Sequence, residues 1–279
     1  MLSLKAKARV LSALILAVFV GIWYLATLPA ATGPQYANPE YAALMGGSTA
    51  AKTGGMPSPV AVGSTVIGLL AHPFYDNGPN DKGFGIQLGW SLARVMAGFI
   101  LACLVAIPLG YAIGMSPLLS LAFNPFIQVL KPISPLAWMP LALYTIKDAS
   151  MSGIFVIFVC SIWPILVNTA FGVGAVRRDW LNVAATLEVK PLRKAFQVVL
   201  PAAAPTILTG MRISMGIAWL VIVAVEMLVG NTGIGYFVWN EWNNLSLTNV
   251  IFAVLVIGVV GMLLDLAFGR LQKAVTYVE

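Results

Sequence analysis

The chain has 279 residues, 59% of them hydrophobic and only 9% charged, with a mean hydropathy of +0.90. Ordinary water-soluble domains carry roughly a quarter charged residues, so a soluble globular fold does not fit. The formal charge of +6 says less than the positions of the cations, which flank apolar runs and do not point to nucleic acid.

A bilayer core of about 30 Å needs about 20 apolar helical residues. Runs of that length fall near 10–30, 86–114, 120–146, 153–175, 203–229 and 248–269. They lack the alternation of membrane strands, and a lipid-facing backbone must satisfy its own hydrogen bonds. The expected fold is an all-α polytopic membrane bundle of about six transmembrane helices. In the first run, Lys5, Lys7 and Arg9 precede the apolar stretch and Ala30 and Ala31 follow it, so a signal peptide is the alternative. Val10 to Leu28 is long for a signal core, and Trp23 and Tyr24 suit an interfacial belt.

Residues 31–85 form a loop that begins with the Gly, Ala, Ser and Thr-rich stretch MGGSTAAKTGG, which cannot build a core. Within it, Gly46 to Thr53 mimics a P-loop, with Ala51 in place of the second glycine. No strand is expected ahead of it, so we read it as a chance match. The following PSPVAVGSTVIGLL places Val62, Val66 and Leu69 or Leu70 on one side of a short amphipathic interfacial helix.

Ten of the sixteen Lys and Arg cluster in three places: Lys5, Lys7 and Arg9; Arg177, Arg178, Lys190, Arg193 and Lys194; Arg270 and Lys273. With six spans all three lie on one side, which the positive-inside rule makes the cytoplasm. The opposite loops carry only Lys52, Lys82 and Lys147. The expected division is a cytoplasmic N-terminus 1–9, a first span 10–30, a periplasmic loop 31–85, a core 86–270 with a cytoplasmic loop 176–201, and a tail 271–279, in the bacterial inner membrane. Cys103 and Cys160 fall inside spans, where a small apolar side chain is the ordinary role.

The loop VRRDWLNVAATLEVKPLRKAFQVVLPAAAP reads as two helices, one capped by Asp179 and running through Glu188, the second starting at Lys190-Pro191 and ending at Leu200-Pro201. Trp180, Leu181, Val189, Leu192 and Phe196 would leave apolar surface for a partner groove. The loop resembles the EAA motif of ABC importer permeases in a degenerate form. Leu200-Pro201 sets the register, Val198 stands for the motif's Ile, Glu188 for its Gly, and Asn182, Val183 and Ala184 for EAA. A glycine there permits positive φ; with Glu188, the turn is expected to shift to Val189 and Lys190 and the helix to lengthen slightly.

The strings PSPVAV, SLARVMAGF, LKPISPLAWMPLALYTI, LTGMRISMGIAWLVIVAVEML and GIGYF resemble the nitrate, sulfonate and taurine permease subfamily over nearly all residues after about 57. The resemblance implies a type I ABC importer permease fold, a non-catalytic transmembrane subunit, a second permease copy, two cytoplasmic ATPases that hold ATP and Mg, and an external or lipid-anchored solute-binding protein. No cofactor is expected on this chain. The implied cargo is a small anion, nitrate with nitrite, the alternatives being sulfonate, taurine, cyanate or bicarbonate.

Five charges lie within spans: Arg94, Lys131, Arg212, Glu226 and Asp265. Each costs about 2.5–3.5 kcal/mol at mid-bilayer and so faces a partner or a wet path. Lys131 and Arg212 lie deep enough to favour an anion route, with Ser134, Trp138 and Thr209 near them in sequence and Glu226 assigned to the same path. The competing reading pairs Arg212 with Glu226, or Arg94 with backbone carbonyls, to fix the bundle. Pro132, Pro135 and Pro140 predict a kinked third span, and Gly110 with Gly114 suits close helix packing. An ion-coupled carrier would show paired broken helices in related halves, which are not evident. An intramembrane enzyme lacks a motif, because the single histidine, His72, stands in the outer loop without HExxH or GxSxG.

Overall fold

A computed structural model describes residues 3–28, 56–78, 81–230 and 232–275. The P-loop-like run at 46–53 lies outside them. Every regular element among the described residues is helical. The chain divides into two compact units, residues 1–73 with 241–252 and residues 74–240 with 253–279.

In the first unit a 23-residue helix, Leu4–Ala26 (α1), starts earlier than the apolar run, so Lys5, Lys7 and Arg9 lie in its opening turns. None of its residues is buried, as befits a helix whose apolar surface runs all round. A second helix, Pro59–Ala71 (α2), is capped by Ser58 and opens with Pro59, the residue whose missing N–H costs nothing there. Val62 is buried and Val66 and Leu69 are half-buried, the side anticipated from their spacing. The Trp23 indole N–H donates to the Pro57 carbonyl at 3.1 Å, tying α1 to the start of α2.

The second unit is built on three long helices: Phe84–Met115 (α3), Ala149–Gly174 (α6, after the two helices described next) and Leu200–Val229 (α9). Small residues set their spacing. A Cβ at Gly98 would lie 2.7 Å from Ile157, one at Gly110 2.7 Å from Thr169, and one at Gly114 2.8 Å from Val173. The constant offset makes α3 and α6 parallel neighbours. Gly172 meets Thr206 and Gly210 meets Asn168, so α6 and α9 run antiparallel. Close backbone approach at small residues is how helices gain packing energy where lipid removes the hydrophobic drive.

The run expected at 120–146 is not one kinked span. It is two helices, Pro117–Leu130 (α4) and Pro135–Ile146 (α5), bent by 91°. Pro132 supplies no N–H and Pro135 starts a new helix, whereas Pro140 is carried inside α5. Among the described residues, five helices are long and apolar enough to cross a membrane, or six with the broken pair counted as one span.

After α6 come Arg178–Thr186 (α7) and Pro191–Lys194 (α8). The second loop helix does not end at Leu200-Pro201. Through a single π turn, Ala195–Val199, it feeds directly into α9, making a 39-residue helical run. In that turn the Leu200 N–H bonds back to the Ala195 carbonyl, which absorbs the donor that Pro201 lacks. At about 58 Å the run exceeds the hydrocarbon thickness, so its first turns stand outside it. The helices Ile234–Asn243 (α10) and Leu247–Val275 (α11) complete the described residues.

Replacing Gly110 or Gly210 by valine forces side chains into these seams. We predict a loss of about 1–3 kcal/mol for each, read as a lowered melting temperature of the detergent-solubilised protein. Gly216→Val, with open space around its α-carbon, should leave it unchanged.

Candidate functional site

At the end of the bundle where α9 finishes, three polar residues of α3, Gln87, Ser91 and Arg94, occupy one face at helical spacing and are all buried. Arg94 uses its whole fork. Its Nη1 donates to Glu226 Oε1 at 2.8 Å and to the Thr232 carbonyl at 2.6 Å, its Nη2 to Thr232 Oγ1 at 2.7 Å, and its Nε to Ser150 Oγ at 3.0 Å. Glu226 also accepts from the Ser91 hydroxyl at 2.7 Å and from the Gly235 N–H at 3.1 Å. The Gly233 N–H donates to Gln87 Oε1 at 2.6 Å and the Ile234 N–H to Ser91 Oγ at 2.8 Å. One network thus pins α3, α6, α9 and the turn before α10. Gly233, at φ 130°, leaves no room for a side chain against the Glu226 carboxylate.

Arg212 does not pair with Glu226. It forms a two-point pair with Asp265 of α11, Nε to Oδ1 at 2.6 Å and Nη2 to Oδ2 at 2.5 Å. Two turns of sequence away on the same α9–α11 seam, the Gln272 amide donates to Thr209 Oγ1 at 2.8 Å, and the Thr209 hydroxyl donates to the Pro205 carbonyl at 2.9 Å. The level is mid-bundle, because Ser214, two residues on, reaches the Ser161 carbonyl at 2.9 Å near the centre of α6.

The break between α4 and α5 opens a cleft of about 250 Å³. Lys131, Ser134 and Trp138 line it on one side, and Cys160, Trp163 and Ile217 on the other. Three of the residues singled out from sequence meet here, while Thr209, Arg212 and Glu226 lie elsewhere. Lys131 is exposed and has no ion-pair or hydrogen-bond partner for its side chain among the described residues, and Ser134 makes no capping bond. Trp163 was not anticipated, although its position one turn beyond the buried Cys160 on α6 marks it as facing inward.

The loop end of the bundle rests on a small core of Val173, Val176, Val199, Ala203 and Ile207, with Leu181 and Leu200 packed against it. Ala184 is buried, Val189 and Val198 are half-buried, and Pro201 is exposed at the start of α9. Asp179 is not the cap expected of it; Arg177 takes that position, and Asp179 sits in the first turn, 3.5 Å from the Arg177 guanidinium. Asn182 is exposed and its carbonyl accepts from the Thr186 hydroxyl at 3.0 Å. Trp180, Val183 and Leu187 expose one face of α7, and Leu192 and Phe196 continue it beyond the turn, the last three about 70% exposed or more. Of the two others expected on that face, Leu181 turns inward to pack on the small core and Val189 is half-buried.

The turn does not shift to Val189. Glu188 itself takes φ 51°, its N–H bonding the Ala185 carbonyl at 3.0 Å and the Val189 N–H the Ala184 carbonyl at 3.1 Å. That is a Schellman closure, which ends α7 at Thr186 rather than lengthening it. The left-handed position is the one the EAA resemblance assigns to glycine, and two closing hydrogen bonds hold a glutamate there.

Long apolar helices, one pair of them sharply broken, with an apolar helical loop at one end fit a membrane transport subunit. Residues 95–277 match the family described as the binding-protein-dependent transport system inner membrane component, and the chain belongs to it. It is 45% identical over 224 residues to the nitrate import permease protein NrtB of Synechocystis sp., covering 80% of this chain and 82% of the relative. It is 43% identical to the bicarbonate transport system permease protein CmpB of the same organism, covering 74% of each. To the taurine transport system permease protein TauC of Escherichia coli it is 32% identical, covering 68% of this chain and 69% of the relative. The fold matches the MetNI methionine ABC transporter in inward facing conformations, with a TM-score of 0.61 at 15% identity over 70% of this chain and 96% of that one. The protein is a multi-pass membrane permease subunit of an ABC importer.

Removing Arg94 leaves the Glu226 carboxylate buried without its cation. Arg94→Met should destabilise by about 3–5 kcal/mol, and adding Glu226→Leu should recover part of that loss. Thermal melting of the single and double variants in detergent measures the coupling.

Proposed function

We propose that this permease works as a homodimer that carries nitrate, and nitrite with it, across the bacterial inner membrane. The 45% identity over four-fifths of the chain to a nitrate import permease carries this reading. In it the N-terminus, the α7 loop and the C-terminal tail face the cytoplasm, a side that their Lys and Arg favour. An external or lipid-anchored binding protein delivers the anion. Two cytoplasmic ATPase subunits hold ATP and Mg and perform the hydrolysis.

Coupling runs through α7 and the turn at Glu188. The surface of Trp180, Val183, Leu187, Leu192 and Phe196 fits a groove on each ATPase, while Leu181, Ala184 and Leu200 tie the loop to the base of α9. When the ATPases close on ATP they move α7, and the 39-residue run transmits that displacement to the bundle. ATP drives the cycle only by binding one arrangement more tightly than the other. The anion passes Lys131, Ser134 and Trp138 at the helix break. Thr209, Arg212 and Glu226, each engaged within the bundle, hold the helices that move.

The 43% identity to a bicarbonate permease favours bicarbonate as the second cargo. The complex reconstituted in liposomes with its binding protein should show ATP-dependent uptake of labelled nitrate above that of bicarbonate or taurine; uptake of bicarbonate alone would reverse the order. Uptake that needs no ATP but follows an ion gradient would contradict the importer reading. Trp180→Glu should reduce co-purification of the ATPase at least about tenfold, as expected on losing an aromatic anchor. Undiminished co-purification would remove α7 from the contact.

A further inference from the structure

Of the three cations that the sequence places within spans, two are already neutralised by carboxylates. Arg94 is closed against Glu226 and the Thr232 carbonyl, with both side chains of the ion pair almost fully buried. Arg212 is held at two points by Asp265. A guanidinium whose carboxylate is already in place offers a passing anion little, since the anion must displace a partner fixed to the protein. Lys131 differs. It lies at the rim of the 250 Å³ cleft, across from Cys160 and Trp163, with the unbonded Ser134 hydroxyl three residues away.

The composition of that cleft constrains what it accepts. Among the described residues Lys131 is its only charged lining residue, and none of them lines it with a carboxylate. The remaining walls are two tryptophans, prolines, Val159 and Ile217. One unpaired ammonium beside largely apolar walls matches one negative charge. A zwitterion would bring an ammonium of its own, and that group would be desolvated with nothing to pair it. A divalent anion held in one protomer's cleft would leave one charge uncompensated. The electron-rich indole faces would disfavour an anion, so the ring edges and N–H groups are what the two tryptophans can offer one, and Ser134 supplies a further neutral donor.

We infer that the cleft at the α4–α5 break is a selectivity site for small monovalent anions without a cationic group, and that Lys131 is its specificity-determining residue. The inference rests on the permease reading above and adds a rule of charge: the single unpaired cation, with no carboxylate beside it, discriminates against aminosulfonates and divalent oxyanions within the membrane, after the binding protein has released its cargo.

The test uses the complete reconstituted complex. Lys131→Gln should lower ATP-driven nitrate uptake at least about tenfold, the value of one charge-assisted contact, while ATPase stimulation by the loaded binding protein stays within about twofold of the parent. Lys131→Arg should retain uptake within about threefold. Ile217→Glu, which places a carboxylate across the cleft, should match Lys131→Gln. Undiminished uptake in Lys131→Gln or Ile217→Glu, or equal loss in Lys131→Arg and Lys131→Gln, would overturn the inference.

A second readout needs no cargo. A cysteine at Ser134, in a chain with Cys103 and Cys160 replaced by alanine, should react faster with a sulfonate-bearing thiol reagent than with a trimethylammonium one, and Lys131→Gln should abolish that preference. No preference in the parent would overturn the charge rule even where nitrate uptake is intact. A preference that vanishes with Lys131, in a complex that moves neither nitrate nor bicarbonate, would support the rule and refute the cargo reading.

Discussion

A charge inside the membrane must find its partner within the protein, and that constraint organises this bundle. Arg94 and Glu226 answer it most completely. The guanidinium reaches α6, α9 and the turn before α10 from a single position on α3, and the carboxylate collects the remaining donors. Without the pair, only the bonds from Gly233 to Gln87 and from Ile234 to Ser91 would tie this end of the bundle, and they join α3 to the turn alone. With it, the glycine-lined seams at Gly98, Gly110, Gly172 and Gly210 are held in register along their length, and the broken helix between α3 and α6 is left to form a cleft.

The helices themselves were legible in the sequence because a bilayer reads length and apolarity, the two properties that composition exposes most directly. Their ends were less so. Lys5 to Arg9 joined α1 because long cationic side chains can reach past the apolar stretch, and the run at Pro191 merged with α9 because a π turn can absorb the donor that Pro201 lacks. The break at Lys131 was visible as three prolines, but which of them interrupt the helix depends on where the chain must turn, and Pro140 found room inside α5.

At the site, Lys131, Ser134 and Trp138 shared a short stretch of sequence, and the same stretch brings them to one cleft. Pairings across the bundle were another matter, because sequence distance says nothing of which helices are neighbours. Arg212 found Asp265 and Glu226 found Arg94, partners 53 and 132 positions away. One signal was available: Gln87, Ser91 and Arg94 fall at i, i+4 and i+7 of an otherwise apolar helix, and such a stripe announces a buried polar partner before the partner is known. Glu188 shows the opposite limit. Its residue type argues against positive φ, yet the Schellman hydrogen bonds to Ala184 and Ala185 outweigh that local cost.

The central claim is that internal pairing sorts the cations of the bundle, so that Arg212 serves the structure and Lys131 serves the anion. The most direct measurement is ATP-driven nitrate uptake by a complex whose permease carries both Arg212→Gln and Asp265→Asn, which removes the pair without leaving either charge alone. The account predicts uptake within about threefold of the parent, since a neutral hydrogen-bonded pair replaces an ionic one. An assembled complex that hydrolyses ATP normally yet has lost nitrate uptake would contradict it and place Arg212 on the anion's route.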